Sequence, residues 1–346
     1  MSILTPTVTT QKTFITNPAI PKKRPKEVNT NRKTITVLGA GAWGSALSTL
    51  ASINDHDLRN WSRRGELELD EAIADADVIV SAISMKGVSD VAVKLKALSI
   101  SEDTIIVTAT KGLEPKTTRT PSQIWQETFP NNPIVVLSGP NLSKEIEAGL
   151  PAATVVASKD EAAAIAIQEL FSSNCFRVYT NNDPVGTELG GTLKNVIAIG
   201  VGICEGLNLG TNAKSALITR ALPEIIRIGT HFGGQPETFL GLAGLGDMLA
   251  TCMSPLSRNH RVGHGLAQGK ELKQILEELG STAEGVNTTY VLIDLANREG
   301  IPISISRQIF RVLKGRITPM EAVTTLMERE LKAESCDLLD HTDEEG

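Results

Sequence analysis

The feature that most constrains this fold is a glycine-rich turn that joins a short apolar strand to a helix. The mostly apolar run 35–38 leads directly into Gly39-Ala40-Gly41-Ala42-Trp43-Gly44, and an Ala- and Leu-rich segment follows. In such a turn Gly39 permits the tight bend, Gly41 lets the backbone approach phosphates, and Gly44 lets the helix pack closely on the strand. Free N–H groups at the helix start bind a pyrophosphate. The turn therefore predicts a dinucleotide-binding site.

Short apolar runs alternate with helix-like segments as far as residue 183. This alternation predicts a Rossmann-type doubly wound α/β fold, a parallel sheet with helices on both faces. The strands are expected at 34–39, 57–61, 77–82, 104–108, 133–138, 153–157 and 176–179. The helices between them are expected at 44–53, 87–97, 121–128, 142–148 and 160–171. A sheet of this kind binds its ligand outside the carboxyl ends of the strands.

The pattern changes after Asp183, where strand signals stop. Long amphipathic segments follow at 184–206, 213–231, 258–267, 271–279, 284–299 and 303–313. We therefore expect a dinucleotide-binding domain at 34–183 and a separate all-α C-terminal domain at 184–335, with the chemistry in the cleft between them. The Thr-, Pro- and Lys-rich residues 1–33 are expected to form a disordered extension, with a transit peptide as the alternative. The acidic residues 336–346 are expected to form a disordered tail.

Composition excludes several classes of protein. A net charge of −6 over 346 residues argues against nucleic-acid and membrane-surface partners, because both require a basic field. No stretch reaches the roughly 18 apolar residues that a membrane span needs. The cysteines are scattered and form no metal or disulfide pattern, which indicates a reducing, cytoplasmic compartment. They are Cys175, Cys204, Cys252 and Cys336.

The end of the second predicted strand carries the signal for cofactor choice. NAD is usually selected by an acidic residue about 20 residues after the glycines, which binds the ribose 2′-hydroxyl. Here the strand ends in Asn60-Trp61-Ser62-Arg63-Arg64 without an acid. The guanidiniums of Arg63 and Arg64 suit a 2′-phosphate, so NADP is favoured and NAD is the alternative; a solvated surface pair is the other interpretation. The short segment 62–76 leaves room for one small helix.

Lys194 is the candidate acid–base residue. It lies in the first half of a long apolar helix that must be mostly buried, where a lysine is unusual. Burial lowers the pKa of a lysine and makes the neutral amine accessible near neutral pH, as a general base requires. The alternative is that the ammonium reaches solvent along its aliphatic stem.

Other polar groups follow predicted strands or begin predicted helices. Lys111 follows the fourth strand and suits a substrate anion or the nicotinamide end of the cofactor, although a lone loop lysine is usually solvated. Asn141 or Ser143 is expected to cap a helix or to contact a ligand. Asp247 and Thr251, four residues apart, share a helix face. Asp247 suits either the orientation of Lys194 or a hydrogen bond from a substrate hydroxyl, with a helix N-cap as the alternative.

A second group of polar residues lies at a predicted helix start. Arg258 and Asn259 suit a phosphate, with a solvated charge cluster as the alternative.

Six ordered motifs together resemble the bacterial type of NAD(P)-dependent glycerol-3-phosphate dehydrogenase, over roughly residues 34–330. They are Gly39-x-Gly-x-x-Gly, Ala109-Thr110-Lys111-Gly112, Ser138-Gly139-Pro140, Leu193-Lys194-Asn195-Val196, Ala243-Gly244-Leu245-Gly246-Asp247 and Ser257-Arg258-Asn259. The resemblance implies interconversion of dihydroxyacetone phosphate and sn-glycerol 3-phosphate, which supplies phospholipid synthesis. It implies that Lys194 is the proton donor and acceptor, with Asp247 beside it.

The resemblance also implies binding roles, residue by residue. Substrate positions are Lys111, Gly139, Asn141, Lys194, Asp247, Ser257, Arg258 and Asn259. Cofactor positions, besides the three glycines, are Ala42, Trp43, Arg63, Arg64, Lys111, Ser143, Arg258, Thr282 and Glu284. A homodimer is one option for the assembly, which the sequence does not fix.

Two departures from the family pattern concern binding. The segment 62–76 is shorter than usual, which affects the adenosine contacts, and Asn141 stands where Thr or Ser is common. Two alternatives to the implied function are a β-hydroxyacid dehydrogenase of related fold and a non-catalytic NADP(H) sensor. The Lys-Gly-Leu and Ser-Arg-Asn motifs count against the first. A basic recognition helix, expected of a DNA-reading sensor, is not found.

Overall fold

The structure is a computed structural model that describes residues 32–280, 282–331 and 334. These residues belong to one compact unit that begins at Arg32. The division into domains 34–183 and 184–335 stays a prediction. None of the helices in the described part of the chain has the length and apolar character that a membrane crossing requires.

The expected terminal segments fall mostly outside the described residues. Of the predicted extension 1–33, only Arg32 and Lys33 are described, and they form ion pairs with Asp57 at 2.6 Å and Asp77 at 3.1 Å. The predicted tail 336–346 lies entirely outside them.

Seven strands form one sheet, and all seven were expected from the sequence. In chain order they are β1 (Thr34–Leu38), β2 (Asp57–Trp61), β3 (Val78–Ser81), β4 (Ile105–Thr108), β5 (Ile134–Ser138), β6 (Ala152–Ala157) and β7 (Phe176–Asn181). The spatial order is β2-β1-β3-β4-β5-β6-β7. The order therefore reverses between β1 and β3, and a crevice opens there at the carboxyl ends of the strands.

The expectation of a fully parallel sheet is wrong at one place. β1 to β5 run parallel, but β5 and β6 pair antiparallel, with Ser138 opposite Val155. β7 then pairs parallel to β6. The apolar composition of β6 fits either direction, because a strand buried on both faces shows no alternation that reports its direction.

Six helices accompany the sheet, including the small helix expected within 62–76. They are α1 (Ala42–Ile53), α2 (Leu69–Ile73), α3 (Met85–Ala97), α4 (Pro121–Thr128), α5 (Ser143–Glu147) and α6 (Glu161–Phe171). Alternate strand residues supply two separate cores: Val37 and Val135 pack with α1 and α6 on one face, and Ile79 and Ile106 pack with α2, α3 and α4 on the other. The sheet is therefore covered on both faces, as expected.

From Pro184 onward the described chain is helical. The helices are α7 (Pro184–Gly206), α8 (Gly210–His231), α9 (Pro236–Leu240), α10 (Asp247–Met253), α11 (Arg258–Ala267), α12 (Leu272–Leu279), α13 (Glu284–Glu299), α14 (Ser304–Leu313) and α15 (Pro319–Met327). A single π-helical turn, Leu242–Gly246, precedes α10. α7 is buried along almost its whole length and forms the centre of the third core, as its apolar sequence predicts.

Candidate active site

The glycine turn has the geometry that its sequence predicts. Gly39 has a φ of +124°, and a Cβ there would lie 2.6 Å from the carbonyl oxygen of Ala82, just after β3. A Cβ on Gly44 would lie 1.9 Å from the carbonyl oxygen of Gly39. Gly41, by contrast, is exposed with open space around the position of a Cβ. Gly39 and Gly44 are therefore fixed by packing, and Gly41 leaves space for a ligand.

The start of α1 is suited to an anion. Gly41 is its N-cap, and no side chain within the described residues caps it. The first N–H groups of α1 therefore face the open space beside Gly41, which fits the pyrophosphate of a dinucleotide. Trp43 extends from this turn to the next part of the site, since its indole Nε1–H donates to the carbonyl of Ala109 at 3.2 Å.

Two lysines converge on one buried carboxylate beyond the strand ends. Lys194, on α7, donates to Asp247 Oδ1 and also to Thr251 Oγ1 at 2.5 Å. Lys111, after β4, donates to Asp247 Oδ2 at 2.5 Å. The side chains of Lys194 and Asp247 are 7% and 2% exposed, whereas that of Lys111 is 23% exposed. Lys111, Lys194 and Asp247, here called the lysine cluster, thus combine three charges with little access to water.

Burial determines the protonation of Lys194. Burial lowers its pKa to about 7, Asp247 opposes that shift, and the like charge of Lys111 adds to it. Near neutral pH both the ammonium and the neutral amine are therefore populated. A group with such a pKa can donate and accept a proton at the same position. The alternative interpretation, an ammonium that reaches solvent, does not fit a side chain that ends in a buried ion pair.

A hydrogen bond also joins the loop after β4 to α7. The backbone N–H of Gly112 donates to Thr192 Oγ1 at 3.1 Å. Together with the ion pair between Lys111 and Asp247, this bond fixes the loop against the helices. The Lys-Gly dipeptide therefore lies between the glycine turn and Lys194.

The helix start at 257–259 provides a second polar surface. Ser257 caps α11 and accepts from the N–H of His260, while Arg258 is exposed. Asn259 is buried, donates to Asn195 Oδ1 at 2.8 Å and accepts from the N–H of Gly285 at 3.0 Å. This bonding orients the amide of Asn259 and links α7, α11 and α13.

Glu284 lies between the loop after β4, which carries Gly112, and the helix start that carries Arg258. Its Oε2 would be 3.5 Å from a Cβ on Gly112, and Met85 borders the same space. Burial raises the pKa of Glu284, while Arg258 and a hydrogen bond from Thr282 oppose the shift. The predicted cofactor residues Arg258, Thr282 and Glu284 are therefore neighbours.

The predicted capping roles in the loop after β5 are wrong. Leu142 is the N-cap of α5, without a side-chain hydrogen bond, and Ser143 is the first helical residue. Asn141 instead binds β6, donating to the carbonyl of Ala153 at 3.0 Å and accepting from Thr154 Oγ1 at 2.8 Å. The antiparallel strand β6, which the sequence did not reveal, supplies these partners.

Three further predicted residues come directly after strands β5 and β2. Gly139 is buried close to β6, where a Cβ would lie 2.9 Å from Thr154 Cα. Arg63 and Arg64 are both exposed just after β2. The two arginines therefore follow the strand end whose last residue, Trp61, accepts a hydrogen bond from the backbone N–H of Gly39 at 2.8 Å.

Two residues that connect α7 to neighbouring segments of the site through hydrogen bonds were not predicted from the sequence. Thr192 and Asn195 flank Lys194 on α7 and are both buried. The signal for them was the same as for Lys194, a polar residue in an apolar helix. Cys252, which follows Thr251, is buried, and burial raises the pKa of its thiol to about 12, which disfavours the thiolate form.

The fold and the site define a class of protein. A doubly wound sheet with a glycine turn of the dinucleotide-binding type, joined to a helical region that carries a buried lysine, is typical of a dinucleotide-dependent dehydrogenase. The chain belongs to the NAD-dependent glycerol-3-phosphate dehydrogenase family. The C-terminal model of this family matches residues 183–324, and the N-terminal model matches residues 64–164, beginning after the glycine turn.

Individual relatives agree with this family over nearly their whole length. The glycerol-3-phosphate dehydrogenase [NAD(P)+] of Acaryochloris marina is 70% identical over 305 residues, covering 88% of this chain and 98% of the relative. That of a Synechocystis species is 66% identical over 300 residues, covering 87% of this chain and 95% of the relative.

A solved structure also agrees. The glycerol-3-phosphate dehydrogenase of Coxiella burnetii is 33% identical, with a TM-score of 0.82, covering 86% of this chain and 99% of the relative.

Proposed function

We propose that this chain is an NAD(P)-dependent sn-glycerol-3-phosphate dehydrogenase that interconverts dihydroxyacetone phosphate and sn-glycerol 3-phosphate. The observation that carries the proposal is the lysine cluster, which places an amine of pKa about 7 beyond the same strand ends as the glycine turn. The product would supply the glycerol backbone of phospholipids. The family relation favours this function over a β-hydroxyacid dehydrogenase or a non-catalytic sensor.

In the reducing direction, NADPH supplies a hydride to the C2 carbonyl carbon when it is bound. We assign the proton to Lys194, whose ammonium donates to the C2 oxygen and becomes a neutral amine. Asp247 orients that ammonium, and Lys111 adds a second positive charge that stabilises negative charge on the oxygen. In the oxidising direction Lys194 accepts the hydroxyl proton at the same atom.

The phosphate of the substrate has its own candidate partners. Arg258 offers an exposed guanidinium and Asn259 an amide that is held in place by Asn195 and Gly285. Binding of the phosphate there would hold C2 near Lys194, so binding energy far from C2 contributes to catalysis. Gly139 and Asn141 are the remaining proposed substrate contacts on the sheet.

We further propose NADP as the preferred cofactor. Arg63 and Arg64 are the supporting residues, since an exposed arginine pair after β2 matches a 2′-phosphate, and an acidic residue is missing at that strand end. The cofactor positions Ala42, Trp43, Ser143, Thr282 and Glu284 remain part of this proposal.

Two further proposals concern the subcellular location and the oligomeric state of the protein. A cytoplasmic location is supported by the free thiols of the described cysteines, Cys175, Cys204 and Cys252. A homodimer is the proposed assembly, whose interface would cover exposed apolar side chains such as that of Met253, which is 76% exposed. Analytical ultracentrifugation should then give twice the 37.0 kDa of one chain; a monomer at micromolar concentration would contradict it.

One assay tests the function directly. The purified protein should oxidise NADPH when dihydroxyacetone phosphate is added, and the same assay with NADH compares the two cofactors. A 2-ketoacid without a phosphate serves as the control for substrate class. Absence of NADPH oxidation with dihydroxyacetone phosphate, in protein that binds NADPH, would overturn the proposal.

A further inference from the structure

α7 and the π-helical turn meet backbone to backbone at Gly190. A Cβ on Gly190 would lie 2.8 Å from the carbonyl oxygen of Ala243 and 3.0 Å from Gly244 Cα. Both neighbours are main-chain atoms, so no side-chain rotation makes room for a methyl group. Any residue other than glycine at 190 must therefore push the turn and the helix apart.

The backbone contact lies one helical turn from the ion pair on both segments. Lys194 follows Gly190 by four residues on α7, and residues four apart share a helix face. Asp247 follows Ala243 by four residues and begins α10 directly after the π-helical turn. α7 thus contacts the π-helical turn at Gly190 and, one helical turn later, the start of α10 through the hydrogen bond between Lys194 and Asp247.

The π-helical turn is also held on its other side. A Cβ on Gly244 would lie 2.1 Å from the carbonyl oxygen of Phe239. Phe239 is completely buried, and its ring lies where a Cβ on Gly229 would be. The turn therefore lies between Gly190 and Phe239 with main-chain contacts on both sides. A close-packed arrangement of this kind transmits a displacement because it has no space in which to absorb it.

We propose that Gly190 is a positioning residue that sets the separation of Lys194 and Asp247 through its contact with the π-helical turn. The proposal rests on the proposed function, in which Lys194 transfers the proton. Gly190 touches neither substrate nor cofactor in this assignment. Its effect reaches the chemistry only through the position of Asp247.

Gly190→Ala tests the proposal against a matched control on the same helix. Gly200 is also buried in α7, but a Cβ there would meet only the flexible ends of Ile309 and Leu217, at 3.0 Å and 3.1 Å. We expect Gly190→Ala to lower kcat about tenfold or more, because misplacement by a fraction of an ångström weakens a reacting geometry. KM for NADPH should change less than about twofold, and Gly200→Ala should keep kcat within about threefold of wild type.

A double variant separates positioning from a general loss of stability. Asp247→Glu alone should reduce kcat, because its longer side chain does not fit the native separation. In the Gly190→Ala background the longer carboxylate reaches across the widened gap, so the two losses should be less than multiplicative by about fivefold. Multiplicative losses would overturn the proposal, as would a Gly190→Ala enzyme with the kcat of Gly200→Ala.

A crystal structure of Gly190→Ala gives a test that does not depend on the substrate. We expect the native fold with the Lys194 Nζ to Asp247 Oδ1 hydrogen bond broken or lengthened beyond hydrogen-bonding distance. An unchanged pair would overturn the positioning role, and so would failure of Gly190→Ala to fold while Gly200→Ala folds. If wild type is inactive on dihydroxyacetone phosphate, the proposed function fails, and this structural test still decides the role of Gly190.

Discussion

The glycine turn and the lysine cluster lie at the same edge of the sheet but are built in opposite ways. The turn 39–44 carries no charged side chain and offers exposed backbone at Gly41. The cluster buries charged side chains from three segments, with Asp247 lying 136 residues from Lys111 and 53 from Lys194. The comparison teaches that a local sequence motif can form the open backbone of the turn, whereas a lysine with a lowered pKa requires the tertiary fold. Substitutions in the glycine turn should therefore change cofactor binding or stability, whereas substitutions in the lysine cluster should change turnover and its pH dependence.

The largest expected effect comes from removing the amine. Lys194→Ala should lower turnover by about 10²- to 10⁴-fold, the usual contribution of general acid–base catalysis. NADPH binding should be largely unchanged, because the glycine turn does not depend on Lys194. Steady-state kinetics and a fluorescence titration with NADPH measure the two effects. Lys273→Ala, an exposed lysine on α12, is the control, and full activity in Lys194→Ala would sink the assignment of the proton donor.

The pH dependence of the two directions should be opposite. Reduction requires the ammonium of Lys194, so kcat/KM should fall about tenfold per pH unit above its pKa of about 7. Oxidation requires the neutral amine, so its rate should rise through the same range and then level off. Lys111→Gln removes a like charge, which raises the pKa of Lys194 and moves both profiles to higher pH.

The control for this shift is Lys116→Gln, which removes an exposed charge from the same loop. Its profiles should coincide with those of wild type. If Lys111→Gln also kept the wild-type midpoint, the electrostatic link between the two lysines would be refuted.

The preference for NADPH over NADH should depend on residues near the glycine turn and not on the lysine cluster. Arg63→Ala combined with Arg64→Ala should raise KM for NADPH about tenfold, since charge-assisted hydrogen bonds to the 2′-phosphate are lost. KM for NADH and the pH midpoint should stay unchanged. Lys94→Ala, an exposed position on α3, controls for net charge. Equal effects on NADPH and NADH would show that the arginines do not select the cofactor.

The smallest effect is expected at Gly41. A methyl group there meets open space, so Gly41→Ala should keep its melting temperature and raise KM for NADPH only about threefold by crowding the phosphates. Gly44→Ala should instead lose stability, because its Cβ would collide with the backbone of Gly39. A thermal melt and an NADPH titration on both variants compare them. A destabilised Gly41→Ala would contradict the proposed division of roles.

Much of the fold could be predicted because its signals are local. Most strands of the sheet are short apolar runs, although β2 is largely polar, and Gly39 and Gly44 carry their own conformational requirement. The direction of β6 could not be predicted, because pairing partners are set by the whole sheet. The π-helical turn was also missed, since three glycines in Gly241-Leu-Ala-Gly-Leu-Gly246 weaken the helical pattern.

The candidate site was predicted only in part, for a related reason. Lys194 was predicted because an amine is unusual in an apolar helix. Asp247 and Thr251 were predicted to share one helix face from their spacing, with Asp247 as a partner for Lys194. The pairing of Lys111 with Asp247 could not be inferred, because it depends on how the loop after β4 meets α10. The hydrogen bonds of Asn141 could not be inferred either, because its partner Thr154 lies on the antiparallel strand β6.

The reversal of strand direction after β5 determines how α7 reaches the site. β7 ends at Asn181, level with Ala157, which lies opposite Val136 in the middle of β5. α7 therefore begins beside the sheet and passes Ser138, where Gly191 contacts it, before Lys194 extends beyond the strand ends. About two turns of helix are thus anchored on the sheet before the amine. Lys194 belongs to the helical part of the chain, but the segment of α7 before it is packed against the sheet. This packing restricts the movement of Lys194.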